Sequence, residues 1–205
     1  IGTAVCRVFE SRGHEVRRFD IAARQGGFGD VLSPDDLETA LQGCTGAVHL
    51  AAVSRVVWGQ RDPEKCAATN VLGTRHVLDR LQSLNPKPWL IFASSREVYG
   101  QSSVFPVTER APLRPMNHYA RSKVKAESVV KQAMDAGICA SILRFSTVYG
   151  SIEDHADRVI PAFCRAALSG RPLRVDGASN SLDITHVADV ADCIFNVAGK
   201  LSEEN

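Results

Sequence analysis

Tyr119 and Lys123 stand four residues apart in a stretch, Asn117–Ala136, whose apolar spacing predicts a helix, so the two side chains share one face, a turn apart. A phenol ordinarily keeps its proton up to about pH 10, and bringing it near 7 takes roughly 4 kcal/mol. An ammonium ~4–5 Å away, at an effective dielectric near 20, supplies on the order of 3–4 kcal/mol. With one further cation nearby, such a pair would accept a proton from a hydroxyl at neutral pH. The plain alternative is a tyrosine and a lysine on an exposed helical face. Ser95 closes an apolar run, Trp89–Ser94, and its hydroxyl would hold the oxygen of a reacting group beside Tyr119, unless it is an ordinary turn serine. Arg96 and Glu97 follow at once. The plain reading of Glu97 is a charge paired with Arg96 or with solvent.

These residues need a scaffold, and the chain supplies an alternation of short apolar runs with helical patterns, the pattern of a parallel α/β sheet. A helix is predicted from Gly2, stopping near Gly13, and then a strand over His14–Asp20. Ser33-Pro34-Asp35-Asp36 starts a second helix, with an N-cap serine, a proline in the first turn and acids at the positive dipole end. Strands are predicted over Gly46–Ala52, Trp89–Ser94, Ala140–Ser146 and Leu173–Asp176. Helices are predicted over Pro63–Leu84, Asn117–Ala136 and Val159–Leu168, and from about Val187. In such sheets ligands sit beyond the carboxyl ends of the strands. There the chain places Asp20, Ala51-Ala52, Ser94-Ser95 and Ser146-Thr147, one crevice built from distant segments.

Composition narrows the partners. The 205 residues carry 24 Lys+Arg against 23 Asp+Glu, a balance unlike the basic footprint of a nucleic-acid binder. No apolar run approaches the roughly 20 residues of a membrane span, and no leader pattern opens the chain, so the expected setting is soluble and cytoplasmic. The six cysteines lie at least 22 residues apart, which excludes close-spaced metal motifs and suits small buried apolar side chains better than disulfides. No metal site is expected.

Taken together, Ser95, Tyr119 and Lys123 resemble the Ser–Tyr–Lys set of the extended short-chain dehydrogenase/reductases, the NAD-dependent epimerase/dehydratase group. Nearly the whole chain shares the likeness. Ile1-Gly2 resembles the tail of that group's glycine-rich turn, with Gly2 its last glycine. Asp20 resembles the acid after its second strand, and Gly29-Asp30-Val31 the segment near adenine. Val48–Ala52, Asn70–Thr74, Phe92–Gly100 and Leu143–Gly150 are similar to four further signatures. The resemblance implies a Rossmann-type doubly wound parallel sheet over 1–150, and over 151–205 the start of a small substrate lobe whose final helix, 187–201, packs back on the core. It also implies that the first strand, most of the glycine turn (about 10–15 residues) and a C-terminal stretch lie outside this chain.

The implied cofactor is NAD, held by Gly2, Asp20, Asp30, Val31, Leu50, Ala51, Ala52, Ser54, Asn70, Tyr119 and Lys123, with its cationic ring completing the acidification of Tyr119. Asp20 would accept hydrogen bonds from both adenosine ribose hydroxyls and repel a 2′-phosphate, whereas Arg17, Arg18 and Arg24 leave NADP as the other choice. Ser95, Arg96, Glu97 and Thr147 are the implied substrate contacts; by likeness to the group's sugar dehydratases Glu97 would be the base for eliminating water, but Arg96 beside it cannot act as the matching acid, which disfavours that reaction. Thr147 stands where many members have Asn, and Leu182 where many nucleotide-sugar enzymes have Arg, so a diphosphate would have to rely on Arg171, Arg174 or residues elsewhere. Asp183, His186 and Asp189 suit capping of the last helix. The expected activity is a nucleotide-sugar 4-epimerase working through a transient 4-keto sugar. The alternatives are a dehydrogenase, reductase or dehydratase on a sugar or other carbonyl compound, or a non-catalytic NAD-binding regulator. By the same resemblance the two long helices, which carry wide apolar stripes, would pair across a two-fold axis as a homodimer.

Overall fold

A computed structural model describes residues 1–22, 27–151, 154–177 and 181–205. Three strands, β1 (Gly46–His49), β2 (Trp89–Ser95) and β3 (Ala140–Phe145), form a parallel sheet in that order. Gly46 lies opposite Trp89, and Leu90 opposite Ala140. β2 is buried along its full length because both sheet faces are covered, which is why its sequence is a continuous apolar run instead of an alternation. Its side chains divide by parity: Leu90 and Phe92 enter one core, Trp89 and Ile91 the other.

The first core is closed by α2 (Pro34–Leu41), α5 (Gly73–Ser83) and α6 (His118–Asp135), which bring Leu37, Leu41, Val77, Leu78, Leu81, Ala126 and Val130 onto Leu90 and Phe92. The second is closed by α1 (Gly2–Ser11) and α8 (Val187–Glu204), through Val5, Val190, Ala191, Ile194 and Ala198. Each fully buried Leu, Ile or Phe contributes about 1.5–3 kcal/mol. Gly46 permits a close contact between β1 and β2, since a Cβ there would lie 1.9 Å from Trp89 Cε2.

Helix starts follow the expected chemistry. Ser33 Oγ accepts from the Asp36 amide and Asn117 Oδ1 from the Ala120 amide, while His186 Nδ1 accepts from Ala188 at the head of α8. The predicted helix 63–84 is realised as α4 (Pro63–Ala67), a π turn (Ala68–Leu72) and α5. α3 (Val56–Arg61) precedes it, a short helix that the loop-like sequence had hidden.

Two strand expectations are corrected. The segment 14–20 forms only a single parallel bridge, Asp20 to Phe28, and 173–176 is no strand. Instead β4 (Thr147–Tyr149) pairs in parallel with β5 (Ile184–His186) as a separate two-stranded sheet that ties residues on either side of 150 together. α7 (Val159–Leu168) buries none of its residues fully, whereas α8 packs on the main core. The six cysteines are free thiols, but only Cys66 is buried and Cys164 and Cys193 are exposed, which corrects the expectation of six buried ones. The exposed faces of α5 and α6 carry Arg75, Asp79, Arg121, Lys125 and Ser128, with Leu72 just ahead of α5, so the stripes read from sequence are narrower in the fold.

Candidate active site

All three strands run the same way, so His49, Ser95 and Phe145 end on one edge. A 3-10 turn, Arg96–Tyr99, follows β2, and Ser95 Oγ accepts from the Glu97 amide at 3.2 Å. Helix α6 brings Tyr119 and Lys123 to this edge, where Ser95 acts on the Tyr119 phenol. The exposed-face alternative fails, because Tyr119 and Lys123 are both buried, Lys123 to 3% exposure.

Burial is the largest influence on Tyr119 and pushes its phenol up, Ser95 pulls it down, Glu97 and Cys66 raise it, and Arg158 lowers it. Lys123 Nζ donates to the Ala93 carbonyl at 2.8 Å and lies 4.9 Å from the Phe92 ring centroid. Burial brings Lys123 from 10.5 to about 8, with Cys66 and Glu127 opposing that shift. An ammonium has three donors, and one is used on Ala93, so two remain for ribose hydroxyls of a dinucleotide. On this count the residues present fit the implied cofactor.

The remaining expected cofactor residues sort by what they already hold. Gly2 opens α1 with open room at its Cβ position, where the nearest atom is Leu50 Cδ1 at 3.7 Å. Asp20 is exposed at the edge, its Oδ1 accepting from the Ala22 amide at 2.7 Å. Asp30 Oδ1 accepts from the Leu32 amide, and the Asp30 amide donates to Asp36, so the acid shapes the turn into α2. Val31 is a core side chain packed on Gly73. Leu50, Ala51 and Ala52 are half-buried past β1, and Ser54 is exposed. The Asn70 amide is occupied: Oδ1 accepts from the Val53 amide at 2.7 Å, and Nδ2 donates to the Val53 carbonyl at 3.2 Å and to Ser122 Oγ at 2.9 Å. Asn70 thus fixes the loop after β1 onto α6. Arg17 donates to the Thr39, Ala40 and Gln42 carbonyls and caps α2, and Arg18 pairs with Glu10; Arg24 lies outside the described residues.

On the substrate side, Glu97 Oε2 accepts from Asn117 Nδ2 at 3.2 Å and Oε1 lies 3.5 Å from Nη2 of Arg96, whose side chain is half exposed. Thr147 begins β4, its amide donating to the Asp183 carbonyl, and Leu182, Arg171 and Arg174 are exposed. Arg174 pairs with Asp176. Across the site, Arg55 contacts Asp157 at 2.6 Å and Trp58 meets His155 edge-on at 5.0 Å, linking the loop after β1 to the segment before α7. No group of three or more His, Cys, Asp or Glu able to hold a metal occurs among the described residues.

One buried cluster escaped the sequence reading. Glu127, one turn beyond Lys123, receives Arg144 through Nε at 2.8 Å and Nη2 at 2.6 Å, and Ser94 Oγ at 2.5 Å. The signal was present as a continuation of the four-residue spacing from Tyr119 through Lys123 to Glu127.

Comparison with known proteins agrees with this geometry. The model of the NAD dependent epimerase/dehydratase family matches residues 1–205. A UDP-glucose 4-epimerase from Lactobacillus helveticus is 35% identical over 132 residues, 60% of this chain and 40% of that protein. The structure of UDP-glucose 4-epimerase from Brucella ovis in complex with NAD superposes with a TM-score of 0.87 at 27% identity, covering 100% of this chain and 71% of that one. An NAD dependent NDP-hexosamine 5,6-dehydratase involved in tunicamycin biosynthesis gives 0.84 at 30% identity, covering 96% and 68%. The chain spans less than half the length of the curated relatives it matches. A parallel sheet ending in Ser95, with Tyr119 and Lys123 brought to it by one helix, and a family match over every residue lead to one assignment: the chain belongs to the NAD dependent epimerase/dehydratase family.

Proposed function

We propose that the protein carrying this chain is an NAD-dependent nucleotide-sugar 4-epimerase. The observation that carries the reading is the meeting of Ser95, Tyr119 and Lys123 at the carboxyl end of β2. Tyr119 takes the proton of the sugar 4-hydroxyl, Ser95 holds that oxygen in line through its own hydroxyl, and Lys123 holds a ribose with the donors Ala93 leaves free. When bound, NAD⁺ would supply a reversible hydride acceptor for the carbon-bound hydrogen of the sugar. Burial raises the phenol, so Lys123, Arg158 and the cationic ring of a bound NAD⁺ would together have to acidify it. Asp20 favours NAD, since Arg17 and Arg18 already have partners. In the same reading the protein works in the cytoplasm, 1–150 is the cofactor unit and 151–205 begins the substrate lobe.

A second reading, water elimination, is favoured by Glu97, whose charge acts on Tyr119 and whose carboxylate is held by Asn117. Incubating the full-length protein with NAD⁺ and UDP-, GDP-, dTDP- and free sugars separates the cases. Epimeric product supports the first reading, a dehydrated keto sugar the second, net NADH a dehydrogenase, and binding without turnover a regulator. Tyr119→Phe is expected to lower kcat by at least about a hundredfold while NAD⁺ affinity stays within about threefold; full activity in that variant removes Tyr119 as base. We further infer a homodimer through the outer faces of α5 and α6, for which light scattering at micromolar concentration should give twice the monomer mass.

A further inference from the structure

Among the described residues, Glu127 is the most deeply buried charged group that the proposed reaction leaves unused, at 1% exposure. It joins three elements. Its own helix, α6, carries Tyr119 and Lys123, Ser94 adjoins Ser95 at the end of β2, and Arg144 lies on β3. Arg144 forks onto both Glu127 oxygens through Nε and Nη2, while its Nη1 donates to Tyr99 Oη at 2.7 Å and to the Glu109 carbonyl at 3.0 Å. The same guanidinium therefore anchors the 3-10 turn carrying Arg96 and Glu97, and the loop beyond it. A bidentate pair fixes direction as well as distance.

Resting on the epimerase reading, we propose that Glu127 and Arg144 are positioning residues: their buried pair sets the height of α6 along β2, and with it the placing of Tyr119 and Lys123 against Ser95. Sliding α6 by an ångström would displace Tyr119 and Lys123 from Ser95 at the end of β2, and misplacements of that size cost about a hundredfold in rate. The carboxylate also favours the ammonium form of Lys123. The other groups facing Lys123 are the neutral ring of His49 from β1, the Cys66 thiol from α4, the Phe92 ring and Ala93 carbonyl from β2, and Tyr119 on α6 itself.

The test compares full-length wild type with Glu127→Gln, by steady-state kinetics on the sugar nucleotide it turns over and by NMR titration of the Lys123 side chain in ¹³C-lysine-labelled protein. The expected result is a kcat lowered between about ten- and a hundredfold with KM within about threefold, and a Lys123 titration moved below its wild-type midpoint. An unchanged kcat in a folded variant, or an unmoved Lys123 titration, overturns the proposal. If Glu127→Gln does not fold, the double variant Glu127→Met/Arg144→Met replaces the pair by apolar side chains; a folded double variant that keeps wild-type kcat overturns the proposal equally, and one that has lost it supports it. Wild-type protein that turns over no sugar nucleotide sinks the epimerase reading alone, and the Lys123 titration then decides the role of Glu127.

Discussion

A lysine ammonium at 3% exposure has lost most of its hydration, and one carbonyl with one aromatic face does not restore it, which is why Lys123 falls to about 8. Its folded value lies below its unfolded one. The stability linked to it is therefore fully present only above about pH 10.4, and is lost as pH falls toward 8. At neutral pH the buried charge is a cost, tolerated because the site needs a donor there. Lys123→Met is accordingly expected to stabilise the cofactor-free protein at pH 7 by about 1–3 kcal/mol while removing turnover. Urea unfolding across pH 7 to 10 checks this: the advantage of the variant should shrink above pH 8, and a variant less stable than wild type at pH 7 contradicts it. Tyr119, Lys123 and Ser95 could be found in the sequence because their types and spacing state their chemistry. The direction of the Lys123 Nζ could not, because it is set by the Ala93 carbonyl, 30 residues away.

At the scale of elements, the π turn Ala68–Leu72 is the piece whose role the sequence concealed. A π turn widens the helix locally and rotates the side chains it carries. Here Asn70 faces inward, bracing Val53 and Ser122, and Ser122 Oγ in turn donates to the Tyr119 carbonyl. The residue pattern singled out Asn70 as a cofactor residue, and the bracing of Val53 and Ser122 is a role that the pattern did not show. Asn70→Asp keeps the acceptor for the Val53 amide but loses the donations to the Val53 carbonyl and to Ser122. Its expected effect is a loss of about 2–4 kcal/mol, read from the urea midpoint. Helices with caps and long apolar stripes were readable because each signal is local. The strand expected over 14–20 was not formed because a strand needs a ladder, and that segment makes one bridge. β4 and β5, three residues each, are too short to show a period, and their pairing joins segments 37 residues apart in the chain.

For the molecule as a whole, the two cores meet only through the sheet, so a group buried between sheet and helices reports on global unfolding. His49 is such a group. It is buried at the end of β1, its Nε2 lies 3.0 Å from Thr74 Oγ1 of α5, and its ring lies against Phe92 of β2. Burial, with the nearby Lys123 charge, lowers it to about 3. Unfolding frees the ring to take a proton at about pH 6.5, so the unfolded chain binds more protons everywhere between these values. The linked stability is complete above 6.5 and declines as pH falls, by about 3 kcal/mol at pH 4, a large share of the 5–15 kcal/mol typical of a domain. Glu127 adds to this only lower down. Burial pushes its carboxyl up, but the Arg144 and Ser94 hydrogen bonds outweigh that and leave it below the usual range, so its contribution declines only below about pH 4.3. The stability of wild type, followed by urea unfolding, should therefore slope downward from pH 6.5 to 4.5 at close to one proton. His49→Gln, whose amide can still reach Thr74, should be nearly flat across that window. A wild-type curve already flat there means that His49 is protonated in the folded protein or solvated within it, and the sealed packing of β1 against α5 would then be wrong.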